Sequence, residues 1–392
     1  MSVNNLPIIC FAGCDWWYHN RGLFIPQVMT RLAKQRKVLF INSLGMRIPS
    51  IRNDRDAMIR LTRKLRSILR FLRKDESGMY VVSLISLPVK SQKLKTVNQT
   101  ALSLQLNLVI KGLGIKNPIY YIGCPPAWEV VKNQPRSFLV YEKTDLFEEM
   151  PGIDKPYIKN LDYQLTTAAD LVLYVNTAMW QDGLKKNPNS LLVGHGVDFE
   201  RFVGAELSEY IPEDIKEIPR PIIGYFGDID QNFCDFSLIE HIAKTLPNMS
   251  LVLIGPVSSD LGNLKAYENI FFLGHKPHDQ IPHYGKVFDV AIMPWKQNRW
   301  IEFCNPIKTK EYLALGKPTV SIDYPELKPY HDIVYASSDY DQFIDDIRKA
   351  VKENDPHLKT KRQERVKNET WDNKVRQITE FIDKKLIQPE HM

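Results

Sequence analysis

The stretch LPIICFAGCDWWYHNRGLFIPQVMTRLAKQRKVLFINS, residues 6–43, contains two short apolar runs separated by a segment with the apolar spacing of a helix. The runs are LPIICFAG (6–13) and KVLFINS (37–43), and the helical segment is FIPQVMTRLAKQ (24–35). Runs that are apolar on both faces are typical of strands buried in a parallel sheet. Similar runs recur at MYVVSLI (79–85), PIYYIG (118–123), FLVYE (138–142) and LVLYVN (171–176). This alternation predicts an α/β protein with a doubly wound parallel sheet.

The segment ELSEYIPEDIKEIPR, residues 206–220, is acidic and contains two prolines, which is typical of a linker between domains. The apolar runs then resume at PIIGYFGD (221–228), MSLVLIGP (249–256), NIFFLG (269–274), VFDVAIMPW (287–295) and KPTVSID (317–323). We therefore expect one Rossmann-like domain over 1–205, a second over 221–360, and closing helices over 361–392. Because ligands of such sheets bind at the carboxyl ends of the strands, we expect the domains to face each other across a ligand-binding cleft.

The composition is that of a folded protein and not of a disordered, collagen-like or coiled-coil chain, since 44% of the 392 residues are hydrophobic and 25% are charged. The five cysteines include no CxxC pair, so they predict neither a disulfide framework nor a zinc finger, and a reducing compartment is expected. No apolar run reaches 18 residues, and the first residues lack the pattern of a signal peptide. We expect a cytoplasmic protein.

Positive charge is concentrated in the first third of the chain. Residues 1–140 contain 22 Lys and Arg against 6 Asp and Glu, a net charge of +16, whereas the remainder has 30 against 40, a net charge of −10. Within that third, residues 47–74 carry ten basic and two acidic side chains and an apolar stripe at helical spacing, the pattern of a helix that lies on an anionic membrane. The alternative is a core-packed helix with a solvated basic face. The expected membrane contacts are Arg60, Arg63, Arg66, Arg70, Leu65 and Leu72.

The stretch NPIKTKEYLALGKPTV, residues 305–320, has the signals of a short helix followed by a strand. The N-cap, the first-turn proline and the terminal glycine are predicted at Asn305, Pro306 and Gly316. Lys308 and Glu311 would share one face near the positive end of the helix dipole. A cation beside free backbone N–H groups suits a pyrophosphate, and a carboxylate can accept hydrogen bonds from both hydroxyls of a ribose. The alternative is a solvated surface ion pair.

These residues resemble the donor-binding helix of GT-B glycosyltransferases, in which a glutamate on this helix binds the nucleotide ribose. The likeness is closest over 137–325 and includes, in order, SLLVGHGVDFERF (190–202), IIGYFGDID (222–230), LVLIGP (251–256) and NIFFLGHKP (269–277). The resemblance implies that the C-terminal domain binds a nucleotide sugar, with UDP favoured as the carrier, and that the N-terminal domain binds the acceptor. The donor-binding residues that it implies are Gly224, Gly227, His275, Lys276, Asn305, Pro306, Lys308 and Glu311.

Within that superfamily, YEKTD (141–145) and the 305–318 motif are similar to bacterial polymer-forming enzymes, such as the glucuronosyltransferases of xanthan and the transferases of teichuronic acid synthesis. Many retaining members carry a second glutamate before the one at Glu311, but Phe303 stands at that position, so an inverting reaction is favoured. Many members also carry an Arg and a Lys after the first strand of the C-terminal domain, where this chain has acids. Lys308 and Arg299 are therefore expected to supply the positive charge.

Transfer of a sugar to a hydroxyl usually needs a group that removes the hydroxyl proton, which in inverting enzymes is commonly a carboxylate or a histidine. Asp145 is the first candidate, because it follows an apolar strand and because the xanthan-type enzymes have an acidic residue in a similar loop. Asp15 and His19, after the first strand, are the alternatives. Each could instead be a helix cap or part of a solvated turn. Contact with the acceptor, with ordinary packing as the alternative, is expected of Trp16, Trp17 and His195.

No metal and no cofactor are expected, because the histidines at 275, 278 and 283 lack the spacing that places two imidazoles on one helix face. The expected partners are a nucleotide-sugar donor, a lipid-linked glycan acceptor and the inner face of the cell membrane, without nucleic acid; the oligomeric state stays open. Two other functions also stay open, namely a nucleotide-sugar 2-epimerase and a non-catalytic scaffold that binds a polyanion or a lipid-linked glycan.

Overall fold

The computed structural model describes residues 5–19, 21–44, 55–86, 92–150 and 152–387, and of residues 55–61, 92 and 93 it describes the backbone alone. The described chain divides into two compact units. Unit 1 comprises Met1–Gly194 and Lys374–Met392, and unit 2 comprises His195–Asn373. Each unit is an α/β domain built on its own sheet.

Unit 1 alternates strands and helices from its first strand onward. Its elements are β1 (Ile8–Phe11), α1 (Phe24–Leu32), β2 (Val38–Ile41), α2 (Arg55–Leu69), β3 (Arg73–Lys74), β4 (Tyr80–Val82), α3 (Gln92–Gly112), β5 (Ile119–Ile122), α4 (Trp128–Val131), β6 (Phe138–Lys143), α5 (Lys155–Ala168), β7 (Leu171–Tyr174), α6 (Thr177–Leu184) and β8 (Ser190–Leu192). The strands described for this unit form one sheet in the order β3-β4-β2-β1-β5-β6-β7-β8. Every neighbouring pair is parallel except β3 and β4.

The centre of this sheet is buried on both faces. Ile8 of β1 pairs with Val38 of β2 on one side and with Ile119 of β5 on the other. All residues of β1, β2, β5, β6 and β7 are buried. Continuous apolar runs are what a strand needs when helices cover both faces of its sheet, so these runs could be identified as strands from the sequence.

Unit 2 repeats the alternation. Its elements are α7 (Phe199–Leu207), α8 (Glu213–Lys216), β9 (Ile222–Phe226), α9 (Phe236–Thr245), β10 (Ser250–Ile254), β11 (Ile270–Gly274), α10 (Ile281–Gly285), β12 (Val290–Met293), α11 (Arg299–Glu302), α12 (Ile307–Ala314), β13 (Thr319–Ile322), β14 (Tyr335–Ser337), α13 (Tyr340–Lys352) and α14 (Pro356–Val366). A last helix, α15 (Trp371–Ile387), begins in unit 2 and lies mostly in unit 1. The described strands of unit 2 are all parallel, in the order β11-β10-β9-β12-β13-β14.

The strand order of unit 2 reverses at β9, since β10 and β11 lie on one side of β9 and β12 to β14 on the other. Each face of the sheet is covered by its own apolar cluster. One cluster contains Phe288, Tyr312 and Leu313, and the other contains Leu238 and Phe343. Helices on both faces of a parallel sheet define a doubly wound domain, and ligands bind such domains where the strand order reverses. The predicted fold class is confirmed.

The units are bounded differently from the predicted domains. Unit 2 begins at His195, so the predicted linker 206–220 lies inside it and contains the end of α7 and all of α8. The predicted closing segment 361–392 is shared between both units, since α14 belongs to unit 2 and most of α15 belongs to unit 1. The acidic residues and prolines of 206–220 therefore belong to the start of α8 and to a surface segment of unit 2, and the boundary between the units lies before them.

The predicted basic insertion 47–74 contains α2 (Arg55–Leu69), which is the ordinary crossover helix between β2 and β4. Residues 45–54 lie outside the described part of the chain. Buried Ser67 ties α2 to the sheet, because the Asn42 amide donates hydrogen bonds to the hydroxyls of Ser67 (3.1 Å) and Ser83 (2.9 Å). Leu65 and Leu72 are exposed. Among the described residues, no helix combines the length and the apolar character needed to span a bilayer.

Candidate functional site

The candidate site in unit 2 begins at Gly227, directly after the central strand β9. Gly227 has a φ of 151°, and its N–H donates a hydrogen bond to the Ile254 carbonyl at the end of β10. Gly255, with a φ of 149°, follows β10, and a Cβ added to it would lie 1.7 Å from the Gly227 carbonyl oxygen. The backbones of these two loops therefore touch, and only glycine fits at the contact.

The Lys308 side chain lies on Gly227. A Cβ added to Gly227 would lie 2.2 Å from Lys308 Cε and 2.8 Å from Lys308 Nζ. The ammonium is also 5.8 Å from the ring centroids of Tyr225, in β9, and Trp295, after β12. Since β9 and β12 flank the reversal of strand order, Lys308 places a cation at the position where such sheets bind ligands. Within the described residues, Lys308 forms no ion pair or hydrogen bond.

Helix α12 is fixed by buried contacts along its length. The Phe226 N–H donates to the Tyr312 hydroxyl (3.1 Å), Thr309 hydrogen-bonds Tyr324 (2.8 Å), and Lys310 pairs with Glu369 (2.8 Å). No side chain of the described chain caps the first turn of α12. Its first backbone N–H groups therefore remain available to an anion beside Lys308, where the helix dipole also favours negative charge.

Glu311 is buried on the same helix and lies against a histidine that the sequence analysis did not include in the site. His278 Nε2 is 3.5 Å from Glu311 Oε1, and both side chains are largely buried. His278 follows β11 in the HKPH segment, next to the predicted His275. The signal available in the sequence was its position after a strand end, but only the fold shows that this loop meets α12.

Acidic residues line the loop after β9 and are held by the loop after β10. The Ser258 hydroxyl donates to Asp228 (2.7 Å) and the Ser259 hydroxyl donates to Asp230 (3.0 Å). Burial raises the pKa of Asp228, and the Ser258 hydrogen bond and the Lys308 charge oppose that rise. These carboxylates are thereby tied to neighbouring hydroxyls.

Two of the predicted donor-binding residues have structural roles. A Cβ added to Gly224 would lie 2.2 Å from the Phe288 ring, so Gly224 makes room for core packing inside β9 and not for a ligand. Lys276 forms an ion pair with Asp214 and lies 5.3 Å from the Tyr284 ring centroid. Core packing contradicts the prediction for Gly224, which is corrected. The donor contact of Lys276 stays a prediction, with an ion pair to Asp214 as its observed contact.

The remaining predicted donor residues are placed as follows. Asn305 is not the N-cap, since its amide donates to Glu326 (3.2 Å) and Pro306 occupies the N-cap position before Ile307. His275 and Arg299 are exposed, and the Arg299 guanidinium lies 5.9 Å from the Phe303 ring centroid. Gly316 ends α12 with a φ of 70°, as predicted for the helix terminus.

In unit 1, Asp145 lies two residues beyond β6 and is partly buried. Burial raises its pKa to about 6, opposed by a hydrogen bond that the Thr144 hydroxyl donates (3.3 Å). Glu142, inside β6, is a second buried carboxyl that the sequence analysis missed. Burial raises the pKa of Glu142 to about 8, the hydrogen bond from the Tyr121 hydroxyl (2.5 Å) lowers it, and the nearby Asp145 charge raises it.

The other side chains of the YEKTD motif face a different element. The Tyr141 hydroxyl donates to Asp162 Oδ1 (2.5 Å), and Lys143 Nζ pairs with Asp162 Oδ2 (2.6 Å) on α5. Tyr141 and Lys143 therefore bind β6 to α5, whereas Glu142 points to the opposite face of the sheet, since side chains alternate along a strand. Of the motif, Asp145 is the acid placed beyond the strand end.

Asp15 and His19 form a local turn after β1. The Asp15 carboxylate accepts a hydrogen bond from the Trp17 N–H (3.0 Å), and the Asp15 N–H donates to His19 Nδ1 (2.9 Å). His19 is exposed. This geometry matches the solvated-turn alternative for both residues.

The predicted acceptor residues differ in burial. Trp16 is 3% exposed and packs edge-on against Phe40 at 5.4 Å, so it is a core residue and the prediction of ligand contact is corrected. Trp17 is partly exposed, with the Arg70 guanidinium 4.5 Å from its ring centroid. His195 lies 6.2 Å from Trp371, and its carbonyl accepts a hydrogen bond from Lys310 (2.5 Å).

The predicted membrane contacts are exposed where the structure describes them. Arg63, Arg66, Arg70, Leu65 and Leu72 all lie at the surface of unit 1. The side chain of Arg60 lies outside the described part of the chain. In the residues that the structure describes, no group of three or more His, Cys, Asp or Glu side chains is arranged to hold a metal ion.

Each of the two units is a doubly wound α/β domain, and in unit 2 the Lys308 ammonium lies where the strand order reverses. The family of group 1 glycosyl transferases matches residues 220–353 of this chain. TuaH of Bacillus subtilis, provisionally named as a teichuronic acid biosynthesis glycosyltransferase, is 30% identical over 173 residues, which are 41% of this chain and 42% of that protein. The match thus spans less than half the length of this relative.

Several solved structures share the fold of the whole chain. Sucrose-phosphate synthase from Thermosynechococcus elongatus superposes with a TM-score of 0.71 at 14% identity, covering 98% of this chain and 100% of its own. HepE of Anabaena in complex with UDP-glucose superposes with a TM-score of 0.63 at 13% identity, covering 97% and 100%. The chain therefore has the GT-B fold, and its residues 220–353 match the model of the group 1 glycosyl transferases.

Proposed function

We propose that this protein is a glycosyltransferase that moves a sugar from a UDP-linked donor to a hydroxyl group of an acceptor. The observation that carries the proposal is the Lys308 ammonium, which lies on Gly227 at the strand-order reversal of unit 2, beside the uncapped first turn of α12. A cation and free backbone N–H groups form a site for a diphosphate. The match of residues 220–353 to the glycosyl transferases supports this use of the site.

In this proposal Glu311 accepts hydrogen bonds from the ribose hydroxyls. A buried carboxylate next to His278 is held in one orientation, as recognition of two adjacent hydroxyls requires. UDP is the proposed carrier because the fold is shared with HepE, whose solved complexes contain UDP, UDP-glucose, or UDP and glucose. Lys308 and the amides of α12 would stabilise the negative charge that develops on the departing UDP.

We propose Asp145 as the general base in unit 1, in a reaction that inverts the anomeric configuration. The acceptor oxygen forms a bond to the anomeric carbon, the bond from that carbon to the UDP phosphate oxygen breaks, and UDP leaves with the electron pair. The hydroxyl proton passes to Asp145. A carboxylate with a pKa of about 6 is ionised at neutral pH and is a stronger base than an ordinary aspartate, which suits this role.

The proposed acceptor is a lipid-linked glycan at the inner face of the cell membrane. Support comes from TuaH, which is named for teichuronic acid biosynthesis, and from the arginines and exposed leucines of α2. Exposed apolar side chains among cations favour an interface with anionic lipid, where each cation contributes about 1 kcal/mol. Helix α3 adds a second exposed apolar stripe at Leu94, Val97, Leu104 and Leu108.

The donor proposal is tested by calorimetric titration of UDP and of a panel of UDP-sugars into the wild type and into Lys308→Ala and Glu311→Ala. Each variant should weaken UDP binding about tenfold to a hundredfold, because a hydrogen bond to a charged group contributes about 1.5–3 kcal/mol. Lys265→Gln, which removes an exposed cation elsewhere in unit 2, should bind UDP like the wild type. Unchanged UDP affinity in both site variants would remove the proposed site.

Product analysis of the same reactions separates the other functions. A transferase releases UDP and passes the sugar to lipid extracted from bacterial membranes. A 2-epimerase would instead change the sugar of the donor without any acceptor, and a non-catalytic scaffold would bind UDP and convert nothing. Metal independence is a further prediction, and activity that survives EDTA would agree with it.

A further inference from the structure

Unit 1 contains a cavity of about 450 Å³ that the proposed donor site and the proposed base do not use. It is lined by the Trp17 ring, by four cations and by two acids, Asp75 and Glu76. The cations are Arg21, Arg70, Arg73 and Lys74. Arg70 lies in the turn between α2 and β3, and β3 itself consists of Arg73 and Lys74. Asp75 and Glu76 follow β3, and the loop after β1 supplies Trp17 and Arg21.

Aromatic rings orient two of the four cations. The Arg70 guanidinium lies 4.5 Å from the Trp17 ring centroid, and the Arg21 guanidinium lies 4.6 Å from that of Trp16. Arg73 Nε donates to the Arg70 carbonyl (3.1 Å). None of the four forms an ion pair with a residue that the structure describes. Stacking on a ring fixes a guanidinium plane and leaves its N–H groups free for an anion.

The acids neutralise only part of this charge. The Asp75 carboxylate closes a turn, since it accepts hydrogen bonds from the Ser77 hydroxyl (2.6 Å), the Ser77 N–H (3.1 Å) and the Met79 N–H (3.2 Å). Four cations against two carboxylates leave a net charge of +2 in the cavity. That charge attracts a diphosphate ester, which carries at least two negative charges, more strongly than a phosphate diester, which carries one.

Apolar side chains flank Arg70 and precede Arg73 in the sequence. Leu69, Phe71 and Leu72 are 67%, 72% and 38% exposed. Phe71 has a φ of 51°, a left-handed conformation that is strained for a bulky side chain, and strained residues of this kind cluster at functional sites. A strained backbone that keeps an aromatic ring in solvent, two residues before Arg73, indicates a surface that meets an apolar group.

We propose that this cavity binds the diphosphate of a lipid-linked molecule, with the lipid chain against Leu69, Phe71 and Leu72. Arginine forks bind phosphate oxygens through two parallel hydrogen bonds, and a lipid diphosphate joins an anion and an apolar chain in one molecule. The inference deepens the proposed function, on which its choice of acceptor rests, because it identifies the group by which unit 1 would hold that acceptor.

The test is calorimetric titration of farnesyl diphosphate into the full chain, with the nucleotide site saturated by UDP so that Lys308 does not compete. Farnesyl diphosphate should bind at least tenfold more tightly than inorganic pyrophosphate, and farnesol should not bind. Arg73→Gln with Lys74→Gln should weaken farnesyl diphosphate at least tenfold. Lys132→Gln with Lys185→Gln, which removes two exposed cations outside the cavity, should leave its binding unchanged.

A second variant separates the apolar contact from the anion contact. Phe71→Ser should weaken farnesyl diphosphate and leave pyrophosphate unchanged. The proposal is overturned if the Arg73 and Lys74 variant binds farnesyl diphosphate like the wild type, or if pyrophosphate binds as tightly as the lipid. Vesicles of phosphatidylglycerol and vesicles of phosphatidylcholine that contain farnesyl diphosphate give a further comparison. Tighter binding to the phosphatidylglycerol vesicles would also overturn the proposal, because the cavity would then bind bulk anionic lipid. UDP affinity, measured in each variant, reports on the donor proposal separately.

Discussion

Asp145 lies just past the end of β6, and its burial raises the pKa of its carboxyl group. Its pKa of about 6 places the ionised form, which the proposed base needs, above pH 6. We predict that kcat/KM is constant above about pH 7 and falls about tenfold for each pH unit below 6. Asp145→Asn should lower kcat about a hundredfold or more and leave UDP affinity intact, since general base catalysis contributes roughly 10²–10⁴.

The control for this prediction is Asp182→Asn, which removes an exposed carboxylate paired with Lys186 in the same unit. It should retain both the rate and the pH profile. Full activity in Asp145→Asn would discard Asp145 as the base and direct attention to Asp15 and His19.

Glu142 should make the stability of the protein fall with rising pH. Its pKa is about 8 in the fold, above the usual 4.5, so the folded state binds more protons than the unfolded state between those values. The contribution of Glu142 to the free energy of unfolding is therefore largest below pH 4.5, and this contribution is lost as the pH rises toward 8. Glu142→Gln stays neutral and keeps an oxygen for the Tyr121 hydroxyl.

We predict that Glu142→Gln gains stability over the wild type between pH 5 and pH 8 by at least about 1 kcal/mol, the equivalent of about one pKa unit. Thermal midpoints measured across this range check it, with the exposed Glu380→Gln as the control that should show no such trend. A constant difference from the wild type at both pH values would mean that Glu142 is ionised in the fold throughout.

Single residues show what a sequence pattern can and cannot predict about a site. Lys308 and Glu311 could be selected because both chemistry and helical spacing are visible in the sequence. Gly224 and Gly227 look alike in the sequence, yet one accommodates Phe288 and the other Lys308. His278 could not be selected, because its contact with Glu311 joins a loop to a helix that lies 33 residues further along the sequence. Which neighbour a side chain meets is set by tertiary packing.

At the scale of elements, the contact between the β9 loop and α12 is the feature on which the donor site depends. Gly227→Ala introduces a Cβ 2.2 Å from Lys308 Cε, at a φ of 151° that alanine rarely adopts. We predict that Lys308 is displaced and that UDP affinity falls at least about tenfold, as expected when a charge-assisted hydrogen bond is lost. Isothermal calorimetry of the folded variant measures this.

Gly262→Ala supplies the matched control, since Gly262 also has a positive φ, of 50°, but a Cβ there would meet no atom within 4 Å. It imposes backbone strain without touching Lys308. Equal losses of UDP affinity in the two variants would attribute the effect to strain and contradict the proposed contact.

Helix α2 illustrates why amphipathic patterns are ambiguous. The sequence offered either an interfacial helix or a core-packed helix, and the helix has features of both, since Ser67 is buried in a hydrogen-bonded cluster while Leu65 and Leu69 are exposed. A buried serine has no apolar signal, so the docked face could not be recognised. In α2 the hydrogen bond of buried Ser67 fixes which face of the helix meets the sheet, and Leu65 and Leu69 lie on a face that stays exposed.

At the scale of the whole molecule, the fold class followed directly from the sequence. Strands such as β1 and β9 are buried on both faces, so their apolar runs stand out, and the helical segments between them require parallel pairing. The unit boundary did not follow, because α15 returns to unit 1 from a distant part of the chain. A return of this kind leaves no local signal, whereas acidic residues and prolines occur equally in surface segments of one domain.

The central claim is that unit 2 binds a nucleotide diphosphate through Lys308, the first turn of α12 and Glu311. The most direct measurement is a crystal structure of the protein with UDP. We predict diphosphate oxygens within hydrogen-bond distance of Lys308 Nζ and of the first N–H groups of α12, with the ribose hydroxyls on the Glu311 carboxylate. UDP bound elsewhere, or bound without contact to Lys308 and Glu311, would contradict the account.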